Sequence, residues 1–200
     1  MSENIKDIYP LSPMQQGMLF HSIYSVESKV YTEQLCCKLS GQLNIQAFQK
    51  AWQTVVDRHD ILRTAFVWQD LDEPLQVVHQ SAELPFEILD WADKSSDQQD
   101  IDFEELLASE RKRGLDLSEA PLMRILLIKT AANNNRLLWN HHHLLMDGWG
   151  LPIILKEVIM FYRSSLQEQD LRLPPSQPYR NYIGWLQAQD LDKAKEFWSG

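Results

Sequence analysis

The sequence has little that would cross-link it, carry it through a membrane or bind it to a polyanion. Only two cysteines occur, Cys36 and Cys37, and they are adjacent. On a strand, neighbouring side chains point to opposite faces, so no disulfide framework is expected and a reducing compartment is favoured. The pair is expected as two small buried apolar residues. Positive charge is not in excess: 19 Lys and Arg against 28 Asp and Glu leave a formal net charge of −9. Binding nucleic acid by counterion displacement needs a basic surface. The cluster Arg111-Lys112-Arg113 lies beside acidic residues and reads instead as one polar face of a helix. Long apolar runs are missing too. The most apolar, Leu122 to Ile128, is interrupted by Arg124 and falls far short of the ~20 residues of a membrane span. "MSENIKDIYP" lacks the apolar segment of a signal peptide. The expectation is a cytoplasmic chain with neither nucleic acid nor membrane as partner.

What is present suits a packed domain. Apolar residues make up 44% and charged residues 24%, with seven Trp, seven Phe and six Tyr to fill a core or line a groove. Ser12 reads as a helix cap with Pro13 in the first turn, and Met14, Met18 and Leu19 recur at helical spacing. "VYTEQLCCKLSG" alternates as a strand ending at Gly41. Asn44 should cap a helix running to about Arg58, with Phe48, Ala51, Trp52, Val55 and Val56 on its inner stripe. "RTAFVWQ" and "LQVVHQ" should form a hairpin around "DLDEP". Residues 92–100 read as a polar loop, and a helix is expected from about Ile101 to Arg113. "PLMRILLIKT" and "RLLWNHHH" read as strands joined by "AANNN". A helix follows Gly150, with Ile153, Ile154, Val158, Phe161 and Tyr162 turned inward, and "YRNYIGWLQ" and "LDKAKEFW" begin further helices. No repeat is found. The mixture of helices and strands indicates an α/β (α+β) fold with a mixed sheet packed with helices.

The stretch "WNHHHLLMDGWG", Trp139 to Gly150, carries the candidate chemistry. Two histidines at i and i+2 on a strand could chelate zinc with help from Asp147, but His21, His59 and His79 are scattered and no second cluster has metal-like spacing. No metal is expected. Taken singly, each histidine reads as a satisfied core or rim residue. A catalytic reading places His143 at the end of a buried strand with its imidazole toward a cleft. Gly148 then lets the backbone approach a ligand.

"HHLLMDG", His142 to Gly148, is similar to the HHxxxDG signature of the condensation domains of non-ribosomal peptide synthetases. Three further stretches follow in that family's order. "YPLSPMQQGMLFHS" resembles its opening motif, "RHDILRTAF" (Arg58 to Phe66) its RHxxLRTxF motif, and "YRNYIGW" (Tyr179 to Trp185) its downstream tyrosine/tryptophan segment. "DLSEAPLMRILLI" also looks like the strand before the signature. The resemblance covers almost the whole chain.

The resemblance implies a chloramphenicol acetyltransferase-like lobe, the N-terminal half of a two-lobed, V-shaped domain with its active site in a tunnel between the lobes. Residues 1–200 are expected to be that lobe, ending near the crossover to a missing C-terminal lobe, and therefore of doubtful activity alone. The implied reaction forms an amide bond. The amine of an aminoacyl thioester on a downstream acceptor carrier protein attacks an acyl or peptidyl thioester on an upstream donor carrier. Both are held on 4'-phosphopantetheine arms, and no cofactor binds the domain directly. In the family pattern His143 orients or deprotonates the amine, and the Gly148 amide is the candidate to stabilise the oxyanion. His142 supports the backbone, and Asp147 pairs with Arg63. His141 has no family role. The opening motif resembles domains that take an L-configured donor. A stand-alone CoA-dependent acyltransferase of the same superfold and a non-catalytic carrier-docking module are the alternatives.

Overall fold

A computed structural model describes residues 4–24, 30–190 and 197. The apolar run that is too short for a membrane instead forms the middle of a sheet. Strands β2 (Thr32–Ser40), β5 (Phe86–Asp90), β6 (Met123–Ala131) and β7 (Asn134–His142) make a four-stranded sheet in the order β2-β7-β6-β5. β6 and β7 are antiparallel neighbours, as are β2 and β7; β5 joins β6 in parallel. The sheet is therefore mixed, as expected from the element order.

Both faces of this sheet are covered, which explains the near-continuous apolar character of β6. On one face Ile125, Leu127, Leu137 and Trp139 pack against helices α2 (Ile45–Arg58) and α4 (Gly150–Leu166). On the other, Leu126, Ile128 and Leu138 meet Phe103 of helix α3 (Ser96–Arg113). Arg124 shares that second face and is only 6% exposed. Its guanidinium pairs with Glu110 of α3 and donates to the Gly114 carbonyl at 3.0 Å. Asn140, opposite Arg124 in the ladder, donates to the same Glu110 carboxylate at 3.1 Å.

A second, three-stranded antiparallel sheet joins β1 (Ile5–Pro10), β4 (Leu75–His79) and β3 (Thr64–Val67), with β4 in the centre. Tyr9 and Val78 of this sheet cluster with Ile183 of helix α5 (Tyr179–Gln187). Arg180 adds an ion pair to Asp7 at 2.9 Å.

Several local expectations hold. Asn44 accepts from the Ala47 amide at 3.0 Å, and the five stripe residues of α2 are buried. Others need correction. α3 begins at Ser96, well before Ile101, capped by Ser95. Its first inward residue is Gln99, whose amide donates to the carbonyls of Trp91, Lys94 and Thr130, whereas Ile101 is exposed. The segment "FEILD", which carries no expected element, is strand β5. Ile153, expected on the inner side of its helix, is exposed, as are Met14 and Cys36; Cys37 packs against the core. The expected helix over "LDKAKEFW" lies outside the described residues apart from Phe197. Among the described residues, no helix is long and apolar enough to cross a membrane.

Candidate active site

β7 carries the histidine run to the edge of the core, and the alternation of the strand separates the three rings. His141 shares the face of Trp139, with ring centroids 4.6 Å apart, and is 2% exposed. His142 turns the other way. Its Nδ1 accepts from the Leu144 amide at 3.2 Å, so its proton sits on Nε2. Nε2–H then donates to Ser22 Oγ at 3.2 Å, and Ser22 in turn donates to the Met18 carbonyl at 2.8 Å. Ser22 and Met18 belong to helix α1 (Pro13–Tyr24), so His142 ties the end of β7 to α1.

Burial above all, with a smaller contribution from the neighbouring His143, pushes the pKa of both His141 and His142 down to about 4 from the ordinary 6.5. Both rings are neutral in the fold. The unfolded chain protonates them near 6.5, so their contribution to stability is fully present above that pH and is lost as pH falls toward 4. The slope approaches about 1.4 kcal/mol per pH unit for each ring. Thermal melts between pH 7 and 5 should therefore shift downward. A melting temperature that does not change over that range contradicts the assignment.

His143 is the first residue past β7. Its amide donates to the Tyr31 carbonyl at 2.8 Å, and its ring meets Tyr31 edge-on at 6.5 Å. Nδ1 is enclosed and has no hydrogen-bond partner among the described residues. A molecule in the adjoining cleft must be served by Nε2. That cleft has a volume of about 570 Å³ and is lined by Met14, Gln15, Met18, His143, Asp147 and Tyr182, among others. A groove of about 550 Å³ over Gln46, Lys50 and Glu83 has no comparable imidazole. Among the described residues, no group of three His, Cys, Asp or Glu side chains is placed to hold a metal ion.

The structure does not bring Asp147 and Arg63 together. Arg63 is 4% exposed and lies on the 3-10 turn Asp60–Arg63 after α2. Its donors are taken by the Asp60 carboxylate at 2.7 Å and by the carbonyls of Val56, His79 and Gln80. Asp147 is exposed and works locally. One carboxylate oxygen accepts from the amides of Trp149 at 2.9 Å and Gly150 at 3.2 Å, at the start of α4. Asp147→Ala should thus cost about 1 kcal/mol, the value of a helix cap, with most of it kept by Asp147→Asn. A melting loss several times larger would return Asp147 to a buried pair.

The two glycines of the loop also differ. A Cβ added at Gly148 meets nothing within 4 Å among the described residues, so no contact with them demands glycine there. A Cβ at Gly150 would lie 2.9 Å from Cβ of Met146, an atom that cannot swing away. Gly150 closes the loop onto the core, a role that its sequence position does not single out. Gln15, Tyr179 and Tyr182 likewise line the site; they lie within the opening and tyrosine/tryptophan stretches, which single out none of the three by role. α5 brings in the two tyrosines, and the Tyr179 hydroxyl lies 3.4 Å from Ser12 Oγ at the start of α1.

A mixed sheet with helices on both faces carries a histidine from the end of its central strand to an open cleft. The chain belongs to the condensation-domain family, whose model, described as Condensation domain, matches residues 5–200. Over 195 residues it is 45% identical to part of a linear gramicidin synthase from Brevibacillus parabrevis, across 98% of this chain and 2% of that protein. It is 37% identical over 194 residues to bacitracin synthase 3 of Bacillus licheniformis, across 97% of this chain and 3% of that protein. The starter condensation domain of rhizomide synthetase RzmA superposes with a TM-score of 0.81 at 21% identity, over 92% of this chain and 46% of that one. The EpoB NRPS cyclization-docking bidomain from Sorangium cellulosum gives 0.78 at 19% identity, over 96% and 38%. At such identities the structural likeness establishes the fold. The chain spans a small fraction of those curated relatives and less than half of those solved chains.

Proposed function

We propose that this chain is the N-terminal lobe of a condensation domain that forms an amide bond between two carrier-bound thioesters. The observation that carries this reading is His143, set beside two buried neutral histidines, with Nδ1 enclosed and Nε2 left for the cleft. The acceptor amine attacks the donor thioester carbonyl. A C–N bond forms, the C–S bond breaks, and the proton lost by the amine ends on the departing thiol of the donor's phosphopantetheine arm. His143 Nε2 orients the amine and takes that proton in transit. Nothing among the described residues lies within 4 Å of a Cβ built at Gly148, so a ligand has room to approach the backbone there, and the oxyanion is assigned to its amide. Asp147 shapes the loop by capping α4.

The other wall of the tunnel is assigned to a second lobe in the same domain. In support, Trp149, Tyr182 and Trp185 are exposed, with Tyr182 on the cleft itself. The partners are an upstream donor and a downstream acceptor carrier protein, and the compartment is the cytoplasm. The test loads two carrier proteins with aminoacyl thioesters and presents them to the complete domain. Mass spectrometry should find a dipeptidyl thioester on the acceptor carrier. Transfer to free CoA with none to a carrier-bound amine would favour a stand-alone acyltransferase. Binding of carriers without transfer would favour a docking module.

A further inference from the structure

Gln15 is 2% exposed and Gln76 is fully buried, yet neither belongs to the apolar clusters around them. The pair links three parts of the fold. Gln15 lies in the first turn of α1, where its amide donates to Ser12 Oγ at 3.2 Å and its Oε1 accepts from the Ser12 amide at 3.0 Å. This reciprocal cap uses Oε1 once. The same oxygen accepts from Gln76 Nε2 at 3.1 Å. Gln15 Nε2 donates to the Leu144 carbonyl at 3.2 Å and to Gln76 Oε1 at 3.4 Å. Gln76, on the central strand β4, is held by donating to the Pro10 carbonyl at 2.9 Å.

All four hydrogen-bonding positions of the Gln15 side-chain amide are thus used. Its orientation follows: turning it over would set nitrogen against the Ser12 amide and oxygen against the Leu144 carbonyl. Leu144 directly follows His143. Its amide is already held by His142 Nδ1 at 3.2 Å, and the amide of His143 by the Tyr31 carbonyl at 2.8 Å. The Leu144 carbonyl is the third fixed point, and Gln15 supplies it.

We infer that Gln15, backed by Gln76, is a positioning residue: it locks the backbone leaving His143 and so sets where Nε2 stands in the cleft. The inference rests on the proposed role of His143. A displacement of the order of 1 Å at a reacting group can cost about a hundredfold in rate. Methionine at position 15 keeps volume and removes all four bonds. Glutamate keeps reach but cannot donate to the Leu144 carbonyl.

The experiment uses the complete domain with 13C-labelled histidine. Transfer between loaded carriers is measured well below the melting temperature of each variant. Gln15→Met and Gln15→Glu should each lower kcat by about tenfold or more, with KM for the carriers changed by less than about twofold. The ring resonances of His143 should move in both. Gln76→Met, acting one step further away, should move them in the same direction but less, and it serves if the Gln15 variants do not fold. A lower melting temperature with unchanged kcat and unmoved His143 resonances would make the pair a structural brace only and overturn the inference. If the wild-type domain forms no dipeptide, the transfer reading fails, and the His143 resonances alone still decide the question of positioning.

Discussion

Replacing His143 by alanine should lower amide formation by about 10²–10⁴-fold, the usual contribution of a positioned acid–base group, while the melting temperature barely moves. The asymmetry follows from what the ring touches. Nδ1 has no partner to orphan, and the structural bond of this residue, from its amide to the Tyr31 carbonyl, is made by the backbone and survives truncation. His142→Ala should behave in the opposite way. It strips the Leu144 amide and Ser22 Oγ of their partner, so stability falls first and rate follows through the loop. Circular dichroism melts and transfer assays on the same two variants separate the roles.

Glu110→Ala should cost about 3–5 kcal/mol of stability, because it removes the carboxylate paired with a buried guanidinium. Arg124 is 6% exposed on the α3 face of the sheet, and Asn140 shares the same carboxylate. For a domain of this size the loss corresponds to roughly 6–20 °C in melting temperature. Removing both charges, Glu110→Met with Arg124→Leu, should restore much of it, since a well-packed apolar pair avoids the desolvation cost of the ions. A double variant no better than Glu110→Ala would show that hydrogen bonds to Asn140 and the Gly114 carbonyl, rather than charge burial, dominate there. The network joins α3 to the strands that carry the histidine run, so these variants should also lower the yield of active domain.

The elements that are legible in the sequence are those whose local pattern coincides with their burial. α2 has an apolar stripe at helical spacing and an asparagine cap, and both do what they indicate. The β6–β7 hairpin is a pair of apolar runs around a polar turn. The start of α3 is hidden because a glutamine, satisfied by three carbonyls, takes the inward position that apolar periodicity assigns to a hydrocarbon. β5 is a short edge strand, half exposed and paired on one side only, with too few residues to show a period.

At the site, the separation of His141, His142 and His143 is legible, because alternation along a strand is local. The partner of Asp147 is not. Pairing with Arg63 depends on where two loops meet, and spacing carries no such information. Arg63 is in fact fully engaged around Asp60 at the end of α2. Gln15 is masked by its neighbour: Met14 is the apolar residue of the turn, yet it is the glutamine that is buried and the methionine that is exposed.

The most direct measurement is the single-turnover rate of dipeptidyl thioester formation by the complete domain, with both carriers preloaded and bound before mixing. Under those conditions carrier docking and product release drop out, and only the chemical step is read. His143→Ala is expected to slow this step by about a hundredfold or more with the fold intact. A wild-type rate in that variant would contradict the assignment of His143 as the group that handles the amine and its proton.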